Sequence, residues 1–195
     1  MSPTQPRKEF PIIAFPASQD FEVWLAENHL HSDGIWLRFY KKNSGVETIV
    51  YAEALDVALC YGWIDSQTNK YDELSYIQKF TPRRKRSMWS KRNLEHIERL
   101  EKEGRIQPQG WKEIEAAKAD GRWDQAYDSP ANITVPEDFM AELAKDSAAL
   151  AFFQTLNKTN TYYIAFQLHT AKRPETRERR MKSILEKLAK GEKFY

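Results

Sequence analysis

The sequence predicts an α+β protein, with a small antiparallel sheet and packed helices in the N-terminal half and an all-helical C-terminal part. Two observations lead to this class. Segments of alternating apolar residues occur only in the first half, whereas the second half shows only the helical period. The chain has 195 residues, 41% hydrophobic and 13% aromatic, which suffices for one core or two small ones. We expect an extended arm (1–17), an α+β domain (18–124), a linker (125–135) and a helical domain (136–195).

The N-terminal half contains three segments with strand-like alternation and two with helical spacing. A strand is predicted over residues 35–42, because Ile35, Leu37 and Phe39 alternate with residues of the opposite face. The turn residues Asn43-Ser44-Gly45 follow it. The other predicted elements are a helix capped by Ser18 and ending near Asn28, a helix over 51–62, and two hairpin strands over 63–71 and 75–82.

The second half is predicted to be helical throughout. A helix capped by Ser90 runs to about Glu103, with Arg99 at the favourable i,i+4 spacing from Glu95. A shorter helix ends near Gly121. Four further helices are then expected, over residues 136–144, 147–157, 161–172 and 174–190.

Positive charge is concentrated in two segments, although the formal net charge is only +2. Residues 79–93 carry seven Lys or Arg side chains and no acidic one, and Phe80 and Trp89 bracket that stretch. Residues 172–193 carry nine basic and four acidic side chains. Cations mixed with rings can bind phosphates and stack on bases, so nucleic acid or another polyanion is one candidate partner. The alternative is that these cations pair with acidic residues of the same chain.

Few residues carry recognisable chemistry. Cys60, the only cysteine, follows Leu59 in an apolar helical segment, which predicts a buried small hydrophobic residue rather than a nucleophile. The four histidines show no metal-ligand spacing. The sequence contains no GxSxG, GxxxxGK[ST] or GxGxxG motif. We therefore expect no metal and no cofactor.

Asp65 is the carboxylate with the most interesting sequence context. It follows Trp63 and Ile64, and an acid beside a large ring can have its proton affinity raised by desolvation, as in catalytic acids. The alternative is a structural carboxylate that accepts backbone N–H bonds or pairs with an arginine of residues 83–86. Both interpretations remain open at the sequence level.

Nothing in the sequence indicates membrane insertion or secretion. No run of about 18 apolar residues occurs. The first residues carry prolines at positions 3, 6, 11 and 16 and no continuous apolar segment, so they do not resemble a secretory signal. A single cysteine requires no oxidising compartment. We expect a cytoplasmic protein.

Three motifs together resemble the YdeI/OmpD-associated family, also labelled bacteriocin-protection (OmdA-type) proteins. They are ALCYGWIDS, the TPRRKRSMWS block and the AKRPETRERR helix start, in this order, and the resemblance extends over about residues 15–193. It implies a role in tolerance of bacteriocins or antimicrobial peptides, without an established enzymatic activity. Some members are described as periplasmic, which the N-terminal segment here does not suggest.

The resemblance and the charge pattern together define a candidate binding surface. Its residues are Trp63, Asp65, Lys79, Arg83, Arg84, Arg86, Trp89 and Ser90. The main hypothesis is a non-enzymatic stress or antimicrobial-peptide tolerance protein that binds an unknown ligand, anionic if this surface is used. A basic surface would repel cationic peptides, so the acidic remainder of the chain is the better candidate for contact with them. The alternatives are a nucleic-acid-binding protein using residues 79–93, and an enzyme with Asp65 as an acid-base group.

Overall fold

The computed structural model describes residues 9–128 and 132–195 and confirms the α+β class. Of the described residues, 49% are helical and 15% lie in strands. It divides into two compact units. Unit 1 comprises Met1–Ser87 and Asn93–Asp124, and unit 2 comprises Met88–Arg92 and Gln125–Tyr195. The expected linker includes residues 129–131, which lie outside the described residues.

Unit 1 is built on a four-stranded sheet with the order β1-β2-β4-β3. Its strands are β1 (Ile12–Ala14), β2 (Ile35–Tyr40), β3 (Trp63–Lys70) and β4 (Ser75–Pro82). The sheet is mixed rather than antiparallel throughout, because β1 pairs with β2 in parallel. β1 lies within the expected extended arm, so that part of the arm is a strand, and residues 1–8 lie outside the described residues. The β3–β4 hairpin is confirmed.

The two faces of the sheet differ in exposure. Residues directly opposite each other on neighbouring strands share a face, so the pairs Ile35–Phe80 and Trp36–Lys79 lie on opposite faces. Ile35 and Phe80 are fully buried. Trp36 and Lys79 are half-buried. We call the Ile35 side the inner face and the Trp36 side the outer face.

Helices α1 (Ser18–Asn28) and α2 (Tyr51–Cys60) pack on the inner face. The Phe21 ring of α1 meets the Phe80 ring edge-on at 5.8 Å, and Trp24 meets Trp63 at the same distance. Ser18 is the first residue of α1 rather than its cap. The Asp20 carboxylate accepts the Ala17 N–H instead.

Three further elements complete unit 1. A 3-10 turn (Lys42–Ser44) follows β2, and helices α3 (Lys91–Lys102) and α4 (Pro108–Ala119) follow the hairpin. The first two residues of α3 are assigned to unit 2. Gly110 lets α4 approach α2 closely, since a Cβ at this position would clash with the carbonyl oxygen of Cys60. That carbonyl also accepts the Gln107 N–H.

The described residues of unit 2 after Ile133 form helices α5 (Glu137–Leu143), α6 (Ser147–Gln154), α7 (Lys158–His169) and α8 (Pro174–Ala189). Side chains of Asp146 and Asn157 accept the first free N–H groups of α6 and α7. The Asn157 cap explains why α7 begins before the predicted residue 161. The core of unit 2 consists of Phe139, Leu143, Ala149, Ile164, Leu168, Ile184 and Leu188.

Candidate functional site

The cations that follow β4 are displayed on a tight turn. Residues 84–87, called the basic turn below, are closed by a hydrogen bond from the Ser87 N–H to the Arg84 carbonyl at 2.9 Å. Arg86, the third residue of this turn, has a φ of 66°. A positive φ at that place is the geometry of a type II turn, which normally requires Gly or Asn. The chain thus keeps an arginine where the backbone favours glycine.

Unit 1 holds the basic turn from both sides. On one side, the Arg83 N–H donates to the Gly62 carbonyl at 3.0 Å. On the other, Nη1 of Arg122 donates to the Ser87 carbonyl at 2.8 Å. Arg122 is itself buried, and its Nε binds the Asp120 carboxylate at 2.8 Å. These contacts fix the backbone that carries the cations.

The exposed cations of the basic turn are Arg84, Lys85 and Arg86. Within residues 9–128 and 132–195, none of these three forms an ion pair with a carboxylate. Arg83 differs from them, because it is only 7% exposed. The turn therefore presents three positive charges to solvent while Arg83 belongs to its buried base.

A pocket adjoins the basic turn on the outer face of the sheet. It has a volume of about 320 Å³ and is lined by Phe10, Asp33, Thr81, Pro82, Arg83 and Arg84. Lys79 lies next to it, with Nζ at 4.1 Å from the Phe10 ring centroid and 5.7 Å from that of Trp36. The cations Lys79, Arg83 and Arg84 thus lie together at the pocket. The rings of Phe10 and Trp36, which contact Lys79, lie in the same region.

Trp63 and Asp65 lie on the opposite side of the sheet. Trp63 is fully buried, and its Nε1 donates to the His29 carbonyl at 3.2 Å. Asp65 is half-buried. Its Oδ2 accepts hydrogen bonds from the Tyr51 hydroxyl at 2.8 Å and from Nε2 of Gln78 at 3.0 Å. Trp63 is a core residue, and Asp65 binds polar side chains rather than an arginine of residues 83–86.

Trp89 and Ser90 belong to unit 2. Trp89 is 1% exposed, and its carbonyl accepts the Tyr127 N–H at 3.0 Å. Ser90 forms a parallel bridge with Tyr127. Both residues therefore act in the fold of unit 2, and the basic turn of unit 1 does not include them.

Cys60 is the buried small residue that its sequence context predicts. It is 1% exposed. Burial raises the pKa of its thiol to about 12. Almost none of it is thiolate at neutral pH, which removes the property a nucleophilic cysteine needs.

One polar cluster connects residues too distant in sequence to be predicted as partners. The Asp56 carboxylate on α2 contacts Nδ1 of His96 at 2.6 Å and Nη2 of Arg99 at 2.6 Å. The hydrogen bonds that Arg99 donates to the carboxylates of Asp56 and Glu103 raise its pKa. Arg99 thus pairs with Asp56 and Glu103 rather than with Glu95. The cluster fastens α3 to α2.

A second pocket of about 510 Å³ lies in unit 2. Its polar groups include Asp128, His169, Thr170 and Lys172. Nε2 of His169 is 2.9 Å from the Thr134 carbonyl, and Asp128 forms an ion pair with Lys91. Across the described residues, no group of three or more His, Cys, Asp or Glu side chains is arranged to hold a metal ion.

Comparison with known proteins divides the chain into two matches. Residues 13–113, more than half of the chain, match the family described as Domain of unknown function (DUF8412). The chain belongs to the DUF8412 family. Residues 132–191 match the family described as Bacteriocin-protection, YdeI or OmpD-Associated, which confirms the suspected family for this part of the chain. The ALCYGWIDS and TPRRKRSMWS motifs lie within the DUF8412 match instead. No curated protein and no solved structure is significantly similar to the chain.

The positions of the two matches matter for the candidate site. The basic turn, Lys79 and the outer face of the sheet all lie within the DUF8412 match. The AKRPETRERR motif and most of unit 2 lie within the bacteriocin-protection match. In the described part of the chain, no helix combines the length and apolar character needed to cross a membrane.

Proposed function

We propose that the chain is a non-enzymatic binding protein of the bacteriocin-protection type, and that it takes an anionic ligand at the basic turn. The observation that carries the proposal is the exposure of Arg84, Lys85 and Arg86 on a backbone anchored at both ends. Cations carried on an anchored backbone bind an anion at a lower entropic cost than cations on a mobile loop do.

The bacteriocin-protection part of the proposal rests on unit 2, where that family match lies. The anion site lies in unit 1. The two statements are therefore independent, and either can fail alone. The basic turn is unsuited to cationic peptides, because like charges repel. Protection that depends on this turn therefore works through an anionic partner rather than through capture of the peptide.

Titration with inorganic polyphosphate tests the anion site directly. Isothermal titration calorimetry of the full chain should detect binding that weakens with salt. If three cations neutralise three phosphates, the log–log salt slope is roughly −2, taking the value for single-stranded polyanions. The triple variant Arg84→Gln, Lys85→Gln, Arg86→Gln should lose this binding.

A matched variant separates a local site from net charge. Lys42, Lys102 and Lys112 are exposed and lie outside the basic turn. Replacing these three with Gln changes the net charge by the same amount and should leave the affinity nearly unchanged. Equal losses in both triple variants would contradict a site at the basic turn.

Survival of cells challenged with a cationic antimicrobial peptide tests the biological part. A strain lacking the protein should regain tolerance when it expresses the wild-type chain. If protection uses the anion site, the basic-turn triple variant restores less tolerance. Equal rescue by both would show that protection does not use this turn. Cell fractionation in the same strain tests the expected cytoplasmic location.

A further inference from the structure

The outer face of the sheet carries rings and cations in alternation. Trp36, Arg38 and Tyr40 of β2 all lie on this face, and Lys79 of β4 stands beside Trp36. All four side chains are half-buried and thus still accessible. Helices α1 and α2 pack on the other face, so the rings and cations on this side remain accessible, beside isoleucines of the neighbouring strands.

One end of this surface is a preformed stack. The Arg38 guanidinium carbon lies 4.5 Å from the ring centroids of both Tyr40 and Tyr71. Its Nη2 is 2.6 Å from the Asp72 carboxylate, and its Nε is 3.0 Å from the Ser75 hydroxyl. These contacts fix the guanidinium between the rings and compensate its charge. Tyr71 is 47% exposed, so a flat ligand can reach it.

The middle of the surface is positively charged. Lys79 contacts the rings of Phe10 and Trp36, and it forms no ion pair within the described ranges. Its charge is therefore available to a phosphate that approaches the same rings. The pocket lined by Phe10, Thr81 and Arg84 continues this region to the basic turn.

The surface thus combines the two features that single-stranded nucleic acids require. Cations bind the phosphate backbone, and exposed rings stack on bases irrespective of sequence. Four-stranded sheets with helices on one face and aromatic residues on the other are a known platform for single-stranded RNA. A duplex hides its bases, and polyphosphate has none, so neither would use the rings.

We propose that the anionic ligand of unit 1 is a single-stranded nucleic acid, whose backbone contacts the basic turn and Lys79 and whose bases stack on Trp36, Tyr40 and Tyr71. This inference rests on the anion site proposed above. It adds a ligand class and a second group of contact residues. With Lys79 included, four phosphates are neutralised, and the log–log salt slope becomes roughly −3.

Fluorescence anisotropy with a fluorescein-labelled oligouridylate of about 12 nucleotides tests the inference. The full chain should bind this probe more tightly than a duplex of equal length. Tyr71→Leu keeps apolar bulk at an exposed position and removes the ring, and it should weaken binding of the probe about tenfold. Trp36→Leu should do the same. Polyphosphate affinity should be unchanged in both variants.

Tyr195→Leu is the control, because Tyr195 is an exposed ring in unit 2. Its affinity for the probe should equal that of the wild type. Circular dichroism checks that each variant is folded, and Tyr71→Leu keeps the test decisive if Trp36→Leu does not fold.

The outcomes separate the two proposals. The nucleic-acid inference would be overturned if the protein bound the probe, the duplex and polyphosphate with equal affinity and if the ring variants had no effect. The anion site would still stand in that case. Failure of all three anions to bind would overturn both. Sedimentation of the protein without ligand tests the remaining outcome. If the wild type is a dimer and the Tyr71→Leu variant is a monomer, the outer face binds a second copy of the chain and the inference is overturned.

Discussion

Nη1 of Arg122 donates a hydrogen bond of 2.8 Å to the carbonyl oxygen of Ser87, 35 positions earlier in the chain. Because Arg122 is buried and Ser87 closes the basic turn, this bond connects the interior of unit 1 to an exposed charge cluster. A hydrogen bond to a charged donor contributes about 2 kcal/mol.

Arg122→Met should lower the free energy of unfolding by about 2 kcal/mol. It should also weaken polyphosphate binding, although Arg122 is not exposed. Urea denaturation and calorimetry measure the two effects. Lys112→Met removes an exposed cation from α4 and should change neither quantity appreciably. Wild-type anion affinity in Arg122→Met would mean that the turn does not need this support.

Arg86→Gly should stabilise the protein, because Arg86 has a φ of 66°. Glycine reaches this region without the penalty that other residues incur, which is of order 1 kcal/mol. Arg84→Gly removes the same charge at a position where φ is not positive, so it should not stabilise. Thermal denaturation of the two variants measures the change in melting temperature. An equal change in both would mean that the stabilisation comes from the lost charge rather than from relieved backbone strain.

Gly34→Ala should destabilise unit 1 and disturb the pocket beside the basic turn. A Cβ at Gly34 would lie 2.7 Å from Cγ2 of Thr81 and 2.9 Å from Cε1 of Phe10, at a φ of +143°. We expect a loss of roughly 2 kcal/mol or more. Gly45→Ala is the matched control, since Gly45 also has a positive φ but no atom within 4 Å of its added Cβ. If both variants lose the same amount in urea denaturation, backbone strain alone explains the effect.

Asp65→Asn should keep the fold, because Tyr51 and Gln78 both donate to a single carboxylate oxygen of Asp65, and the amide oxygen of Asn can take its place. Asp65→Leu removes both acceptors and should cost about 1–3 kcal/mol, since Gln78 is only 5% exposed. Denaturation and the survival assay should be run together. A folded Asp65→Asn variant that binds anions but no longer protects cells would favour an acid-base role for Asp65 over a purely binding function.

The ion pair between Asp138 on α5 and Arg177 on α8 should make unit 2 less stable in acid. Hydrogen bonds from Arg177 hold the pKa of Asp138 below its ordinary value of 3.8. A lowered folded-state pKa contributes stability above pH 3.8, which is lost as the pH falls through the folded value.

Asp138→Asn should therefore be less stable than the wild type at neutral pH, and the difference should vanish in strong acid. Urea denaturation monitored at several pH values measures it. Glu186→Gln changes an exposed carboxylate of α8 and should show no such pH-dependent difference. A difference between Asp138→Asn and the wild type that persists in acid would contradict the linkage.

Local patterns predicted most of the elements. The alternation of Ile35, Leu37 and Phe39 is resolved as β2, and the hairpin predicted over 63–71 and 75–82 as β3 and β4. β1 was missed because only three residues form it, between Pro11 and Pro16, and because its partner β2 begins 21 residues after β1 ends. Short strands of this kind depend on a tertiary partner rather than on their own periodicity.

The candidate site could be predicted only in part. The charge run identified Lys79, Arg83, Arg84 and Arg86, but it could not distinguish the buried Arg83 from its exposed neighbours. The contact between Asp56 and His96 joins residues 40 positions apart and leaves no local signal. The outer-face surface depends on strand register, which places Trp36 beside Lys79. Such register is fixed by the assembled sheet.

The protonated, inaccessible thiol of Cys60 makes the native chain behave as a cysteine-free protein toward maleimide reagents. Lys85→Cys would therefore introduce the one accessible thiol, at an exposed position of the basic turn. An environment-sensitive dye attached there could report occupancy of the turn at the level of single molecules, with no need to engineer the rest of the sequence.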